Sequence, residues 1–238
     1  MQRNTHYGME RAEAKNRVND ILFGRFERWA LPRMAKRLPA WITPDKLTLV
    51  GIAAAFGVGL GCWLTQYSLD WLWFSSAMLV VNWWGDSLDG TLARVRGIQR
   101  ERYGFYVDHQ SDAISIILVL GGLGLSPLMH LPLAMVIVIG YFLMMILVSL
   151  VTIVRDEFKI SFAVLGPTEA RVIMIVANIA VWAFHNPHFV ISEQSLTLYD
   201  IIGLVAAVLL FLIYALASLR ERAKLAVLDP PPESNLRK

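Results

Sequence analysis

Cysteine is almost absent from this chain, and its scarcity excludes several kinds of protein. Of 238 residues only Cys62 is a cysteine, so no internal disulfide can form, and its expected role is packing in an apolar segment. The chain also lacks CxxC and HExxH patterns, a Walker loop and a recognisable nucleophile elbow. Any chemistry must therefore rest on residues other than thiolates, zinc-binding histidines or a P-loop.

Charge is also scarce, whereas long apolar stretches are abundant. Charged residues make up 17% of the chain and apolar residues 56%, with a mean hydropathy of +0.50. Several stretches approach the roughly 20 residues that a helix needs to cross a bilayer. We therefore predict an all-α integral membrane protein with six transmembrane helices, preceded by a cytoplasmic amphipathic helix at the membrane interface. The six spans are expected near residues 47–67, 70–93, 104–126, 131–154, 168–186 and 198–219.

The arginines and lysines predict how these spans are oriented. They occur in the first 46 residues, from Arg94 to Arg102, from Arg155 to Arg171, and from Arg220 onward. The other three connections contain none. By the positive-inside rule, both termini and the loop between the second and third spans then face the cytoplasm, in the cytoplasmic (inner) membrane. The pI near 9.1 reflects this asymmetry and requires no nucleic-acid partner.

Three regions follow from this pattern. Residues 1–46 form a cytoplasmic leader, residues 47–219 a six-helix transmembrane domain, and residues 220–238 a cytoplasmic tail that we expect to be disordered. In the leader, apolar residues fall on one arc of a helical wheel with arginines beside or opposite it, which predicts an amphipathic helix on the cytoplasmic leaflet. A helix packed against another protein is the alternative, and Pro32 and Pro39 are expected to end or bend it. The arc comprises Val18, Ile21, Leu22, Phe26 and Trp29, and the arginines are Arg17, Arg25 and Arg28.

Four aspartates interrupt the apolar pattern on the second and third predicted spans. Asp86 and Asp89 are three residues apart and Asp108 and Asp112 are four apart, so each pair projects from one face of its own helix. An aspartate near the middle of a membrane helix costs about 2.5 to 3.5 kcal/mol on insertion scales, and neighbouring carboxylates repel each other. The negative charge of these acids must therefore be neutralised by other groups, and ionisable residues within a membrane commonly mark a functional site. The alternative is a salt-bridge network with Arg94, Arg96, Arg100 and Arg102.

The donor set and the neighbouring small residues predict a metal-dependent site. Carboxylates without cysteine or clustered histidine are the oxygen-only ligands that suit Mg²⁺ or Mn²⁺. Two such ions about 3.5 to 4 Å apart are a common arrangement for phosphoryl transfer. Gly90, Ala93 and Gly104 lie on the stripes of the aspartates, and small residues let a ligand approach the backbone closely.

The spacing of these residues resembles the signature of the CDP-alcohol phosphotransferase family. The pattern D-x2-D-G-x2-A-R, followed after nine residues by G-x3-D-x3-D, is matched in full over residues 86–112. Upstream, residues 43–48 resemble the family's T-P-N-x-L-T segment, with Asp45 where asparagine is more common. The resemblance implies a membrane enzyme of phospholipid synthesis that transfers a substituted phosphate group and forms a homodimer.

The resemblance also implies a reaction and a role for each motif residue. A hydroxyl group attacks the β-phosphorus of a CDP-linked substrate and CMP leaves, while two divalent ions neutralise the pyrophosphate charge. Asp86, Asp89 and Asp108 would be metal ligands, and Asp112 would be a ligand or the general base. The residues that would hold the nucleotide are Gly90, Ala93, Arg94 and Gly104. Arg94 could instead anchor a helix end at the membrane surface.

Other residues could contact the second substrate, the acceptor alcohol. His109 could border the acceptor or shuttle its proton, or it could hydrogen-bond a neighbouring helix. Asp108-His109 and the segment 166–169 resemble the choline and ethanolamine phosphotransferase branch. Glu169 and Arg171 are the candidate acceptor-binding residues, and a mutual ion pair is their alternative role. One arginine beside a glutamate is a poor site for an extra phosphate, which favours an amino-alcohol or neutral polyol. The CDP-linked donor could be CDP-diacylglycerol or a CDP-amino-alcohol.

A divalent-cation transporter or channel is the alternative function, with the aspartates as an ion pathway. It requires acids spread across the membrane depth, whereas all four aspartates lie at adjoining ends of two spans, and no inverted repeat is evident. A catalytically inert scaffold is disfavoured because every motif position is intact. The sequence therefore favours an enzyme.

Overall fold

The computed structural model describes residues 23–155, 166–191 and 194–230, and this part of the chain is almost entirely helical. Its helices, α1 to α7, are Gly24–Arg37, Pro44–Leu64, Trp71–Val95, Glu101–Gly124, Leu131–Arg155, Pro167–Ala183 and Leu198–Leu228. A helix therefore occupies each of the six segments predicted from the apolar pattern. Apart from the end of α7, the helix ends lie within a few residues of the expected ones.

Three of the described helices are long and apolar enough to cross a membrane. They are α2, α5 and α7, with 21, 25 and 31 residues and mean hydropathies of 2.0, 2.8 and 2.7. The motif aspartates and other polar residues lower the hydropathy of α3 and α4, and α6 has only 17 residues. Large apolar side chains stay exposed on the outer faces of the bundle, such as Ile153 and Val208. This surface is typical of a protein surrounded by lipid.

Helix α2 packs against both helices that carry the aspartates. Among the described residues, α3 and α4 barely contact each other, whereas each packs along α2. A β-carbon added at Gly85 of α3 would lie 2.8 Å from the backbone nitrogen of Gly51. One added at Gly122 of α4 would collide with the backbone of Gly59. Glycines therefore bring both helices into backbone contact with α2, which sets the positions of the two acidic pairs.

Helix α1 lies against the aspartate end of the bundle. Its buried Leu31 and Ala35 pack with Leu88 and Leu92 of α3, while Phe26 and Trp29 are more than half exposed. Pro32 lies inside the helix, with this packing on both sides of it, and the helix ends at Arg37, ahead of Pro39. The predicted arc residues Val18, Ile21 and Leu22, with Arg17, lie outside the described residues.

Two elements differ from the predicted pattern. The strands β1 (His188–Ile191) and β2 (Gln194–Thr197) form an antiparallel hairpin between α6 and α7, where only a loop was expected. Helix α7 continues to Leu228, so the first part of the expected disordered tail is helical. There the buried carboxylate of Glu221 accepts hydrogen bonds from Arg155 of α5 and from Lys224, which holds this extension against the bundle.

A network of hydrogen bonds closes the end of the bundle opposite the aspartates. The Thr197 side chain caps α7 by accepting from the Asp200 backbone N–H, at 3.1 Å. The Asp200 carboxylate accepts from the backbone N–H of His130 at 2.8 Å and contacts the His130 ring at 2.7 Å. The first turns of α5 and α7 are thereby joined.

Candidate active site

The fold brings the two acidic pairs together at one end of the bundle. Asp86 and Asp89 lie in the second half of α3, and Asp108 and Asp112 in the first half of α4, on either side of the short connection between these helices. The carboxylates of Asp86 and Asp108 are close enough to those of Asp89 and Asp112 for their charges to interact. Helices α3 and α4 each pack on α2 and barely contact each other within the described residues, so the two acidic pairs are not separated by a packed α3–α4 contact.

Asp86 is joined to α6 by an ion pair. The Arg171 Nη2 atom donates to the Asp86 carboxylate at 2.7 Å, and Arg171 Nε donates to the side-chain oxygen of Asn82 at 2.8 Å. Asn82 in turn donates to the backbone carbonyl of Gly51 at 2.9 Å. This chain of polar contacts links α2, α3 and α6. The guanidinium group of Arg171 is thus directed at α3, and the Glu169 carboxylate folds back towards Gly166.

Asp89 is held by α2 and by its own backbone. The Thr48 hydroxyl lies 2.6 Å from the Asp89 carboxylate and 3.2 Å from the Pro44 carbonyl. A hydroxyl carries one proton, so the shorter contact to the charged oxygen takes it. The backbone N–H of Gly90 donates to the other carboxylate oxygen. Thr48 is the last residue of the T-P-D-K-L-T segment, and this contact places that segment in the site.

The acids of α4 have fewer partners. The Tyr141 hydroxyl of α5 lies 3.5 Å from the Asp112 carboxylate, at the outer limit of a hydrogen bond. Within the described residues, no hydrogen-bond donor reaches the Asp108 carboxylate. The His109 ring lies against Phe105, with 4.0 Å between ring centroids, and its Nδ1 is 3.0 Å from the Phe105 carbonyl. His109 therefore contacts the preceding turn of its own helix.

The arginine of the motif lies over Gly90 on α3, and the surface at Gly104 on α4 is open. A β-carbon added at Gly90 would lie 3.5 Å from the Arg94 guanidinium, so this side chain lies over the glycine. Arg94 also donates to the Thr91 hydroxyl at 3.1 Å. Within the described residues, a β-carbon at Gly104 would meet no heavy atom within 4 Å, and Ala93 is half-buried. The surface leaves room for a ligand close to the backbone.

A narrow cavity opens beside Asp86. Its polar walls come from Thr48 and Gly51 of α2, Asn82 and Asp86 of α3, and Ser111 and Ser115 of α4. Asn82 is four residues before Asp86, so helical spacing could have identified it from the sequence. No sequence signal marks Tyr141, since it lies in an apolar run and its partner is on another helix.

The donor set fits a divalent cation in its chemistry. All the candidate ligands are carboxylates, the oxygen donors that Mg²⁺ and Mn²⁺ prefer. Among the residues that the structure describes, no three acidic, histidine or cysteine side chains converge closely enough to hold an ion. Arg171 compensates Asp86 instead, and Thr48 binds Asp89. Binding of an ion therefore requires these side chains to rotate towards one another.

A comparison with protein families decides which group of enzymes this arrangement belongs to. The family model of CDP-alcohol phosphatidyltransferase matches residues 41–219, from the start of α2 into α7. The chain belongs to the CDP-alcohol phosphatidyltransferase family. The family and the transferase class predicted from the motif are thereby confirmed. CDP-alcohol phosphatidyltransferases act in phospholipid synthesis and generally depend on a divalent metal. A comparison with curated proteins finds no match.

Proposed function

We propose that this CDP-alcohol phosphatidyltransferase catalyses attack of an alcohol hydroxyl on the β-phosphorus of a CDP-linked substrate. A bond forms between the hydroxyl oxygen and phosphorus, the bond to the CMP oxygen breaks, and the hydroxyl proton passes to a base. The observation that supports this most strongly is that four carboxylates whose charges interact lie at the same end of the bundle as the surface of Gly90 and Arg94. Carboxylates, an arginine and open backbone are the groups that a metal-bound diphosphate needs.

The four aspartates would hold two Mg²⁺ or Mn²⁺ ions. When bound, such ions would neutralise the charge of the pyrophosphate and the charge that develops on the leaving CMP. Asp86, Asp89 and Asp108 act as ligands in this proposal. Asp112, beside the Tyr141 hydroxyl, acts as a ligand or accepts the proton of the attacking hydroxyl, and His109 is the second candidate for that proton.

Nucleotide and acceptor would bind on different sides of the acids. Gly90, Ala93 and Gly104 allow the cytidine diphosphate to approach the helix backbones, and the Arg94 guanidinium meets phosphate. On the other side, the acceptor segment, residues 166–171, brings Arg171 to Asp86 and carries Glu169 two residues earlier. A lone arginine that is already paired with an aspartate is a weak site for an additional phosphate. This supports an amino-alcohol or neutral polyol acceptor.

In the proposed membrane arrangement, α2 to α7 all cross the bilayer and α1 lies on the cytoplasmic leaflet. The exposed Phe26 and Trp29 of α1 would enter the interface, where aromatic rings are favoured. Both termini and the aspartates face the cytoplasm, which supplies the nucleotide. The lipid substrate enters from the side of the bilayer, and two copies of the chain form a homodimer.

Release of CMP by the purified protein in detergent tests this proposal. The assay includes Mg²⁺ or Mn²⁺ and offers CDP-diacylglycerol with a panel of alcohols or, separately, CDP-choline or CDP-ethanolamine with diacylglycerol. We expect release that requires both the metal and one acceptor, and that is lost in Asp108→Asn. Absence of release with every pair, in protein shown to be folded, would exclude the proposed reaction.

A further inference from the structure

Helix α1 contributes a carboxylate that joins two helices of the site. The Glu27 Oε1 atom accepts a hydrogen bond from Trp83 Nε1 of α3 at 2.9 Å and another from the Thr168 hydroxyl of α6 at 2.7 Å. One oxygen atom thus connects three helices that are far apart in the chain. Glu27 lies before residue 41, where the family match begins, so the family signature assigns it no role.

Both partners of Glu27 lie next to residues of the candidate site. Trp83 is three residues before Asp86 on α3, and Thr168 is three residues before Arg171 on α6. Asp86 and Arg171 are themselves joined by an ion pair of 2.7 Å. The Glu27 contacts are therefore a second bridge between the same two helices, about one turn away from the first.

The first turn of α6 receives a side-chain contact from this bridge. Its N-cap residue is Gly166, which offers no capping side chain, and Pro167 follows at the first helical position. The carboxylate of Glu27 supplies an anchor for the next residue, Thr168, and a negative charge near the positive end of the helix dipole. The acceptor segment is thus held from outside, by α1.

The seating of α1 keeps Glu27 in place. Its neighbour Phe26 stacks against Trp83, with 6.3 Å between ring centroids, and Leu31 one turn on is buried against α3. Because the Glu27 side chain is half-buried, both hydrogen bonds are partly protected from water.

We propose that Glu27 is a positioning residue for the acceptor alcohol. It holds the first turn of α6 against α3, and so keeps Arg171 beside Asp86, in the position that acceptor binding requires. The inference rests on the proposed function in assigning the acceptor to this segment. The hydrogen bonds themselves can be tested without it.

Kinetics of four variants test the role of Glu27. Glu27→Ala removes both bonds, Thr168→Val removes one, and Glu27→Gln keeps a carbonyl oxygen that can accept both. We expect Glu27→Ala to raise KM for the acceptor about tenfold, as for the loss of about 1.4 kcal/mol of binding, and to change kcat and the KM of the CDP-linked donor less than about twofold. The acceptor KM of Glu27→Gln should stay within about threefold of that of the native chain. The double variant Glu27→Ala/Thr168→Val should have the same acceptor KM as Glu27→Ala alone, because both substitutions remove the same hydrogen bond.

Several kinetic results would overturn the inference. They are an unchanged acceptor KM in Glu27→Ala, equal changes in both KM values, and failure of Glu27→Gln to restore the acceptor KM. The matched control is Lys36→Ala, which removes an exposed charged side chain from the same helix and should leave all constants unchanged.

Hydrogen–deuterium exchange gives a readout that does not depend on activity. Glu27→Ala should speed amide exchange in peptides from residues 166–171 at least fivefold, while Glu27→Gln and Lys36→Ala should not, and α5 serves as the internal reference. Unchanged exchange in Glu27→Ala would overturn the inference. If the native chain releases no CMP, the proposed function fails, and the exchange experiment still decides whether Glu27 holds α6.

Discussion

The carboxylates at the two ends of the bundle differ in how fully hydrogen-bond donors surround them. Asp200 is 1% exposed and is surrounded by donors: the backbone N–H groups of His130 and Thr197, at 2.8 and 2.9 Å, and the His130 ring. At the other end, the donors that the described residues offer to the four aspartates are Arg171, the Thr48 hydroxyl, the Gly90 backbone N–H and, at 3.5 Å, the Tyr141 hydroxyl. A carboxylate with its donors satisfied stabilises the fold. A cluster of like charges with few donors retains the capacity to bind a cation.

The largest expected difference between the ends concerns activity. We expect Asp89→Asn to reduce CMP release by more than about a hundredfold, since removing even the outer partners of metal ligands costs 10–100-fold. Its thermal stability should stay the same or rise, because one of four repelling charges is gone. Metal-dependent CMP release and thermal unfolding in detergent measure the two effects. A variant that keeps a tenth of the native rate would show that Asp89 is dispensable and that the ends do not differ as described.

A substitution at Asp200, at the opposite end of the bundle, should lower stability more than activity. Asp200→Ala leaves the buried N–H group of Thr197 without an acceptor, which costs about 1 to 3 kcal/mol, and also removes the acceptor of the partly buried His130 N–H. We therefore expect thermal unfolding at clearly lower temperature, with CMP release per folded molecule within about threefold of the native value. A large loss of activity at unchanged stability would mean that the two ends are coupled.

The contact between α2 and α4 can be tested with two adjacent glycines. Gly122→Ala places a methyl group against the backbone of Gly59, whereas Gly121→Ala meets no heavy atom within 4 Å among the described residues. We expect the first to destabilise the protein by about 1 to 3 kcal/mol and to lower activity by moving Asp108 and Asp112. The second should be neutral or stabilising by up to about 1 kcal/mol. Equal unfolding temperatures for the two variants would contradict the close packing.

The smallest effect is expected at Thr48. Thr48→Val keeps the shape of the side chain but removes the hydroxyl that donates to Asp89, so binding of Mn²⁺ should weaken about tenfold. Electron paramagnetic resonance of free Mn²⁺ measures this directly. Thr48→Ser retains the hydroxyl and is the matched control. If the Thr48→Val and Thr48→Ser variants bind Mn²⁺ with equal affinity, the hydroxyl does not orient Asp89.

Local patterns explain why much of the architecture could be predicted. Apolar runs of about 20 residues identify helices α2 to α7, and the hydrophobic arc that includes Phe26 and Trp29 indicates α1. The predictions failed where a local rule was outweighed. Helix α7 extends past its expected end at residue 219 to Leu228, because Glu221 pairs with Arg155 of another helix. The hairpin has strands of only four residues, too short for a clear alternation of apolar and polar residues.

The sequence by itself determined the family, the helical segments and the placing of each acidic pair on one helix face, because spacing along a helix is a local property. Only the tertiary structure decided which groups meet those acids. Arg171 pairs with Asp86 although Glu169 is two residues away, Thr48 reaches Asp89 across 41 positions, and Glu27 of α1 bridges α3 and α6. The Thr48 contact follows from the close approach of α2 and α3 at Gly51 and Gly85, and all three contacts arise because packing between helices brings together residues that no local pattern relates.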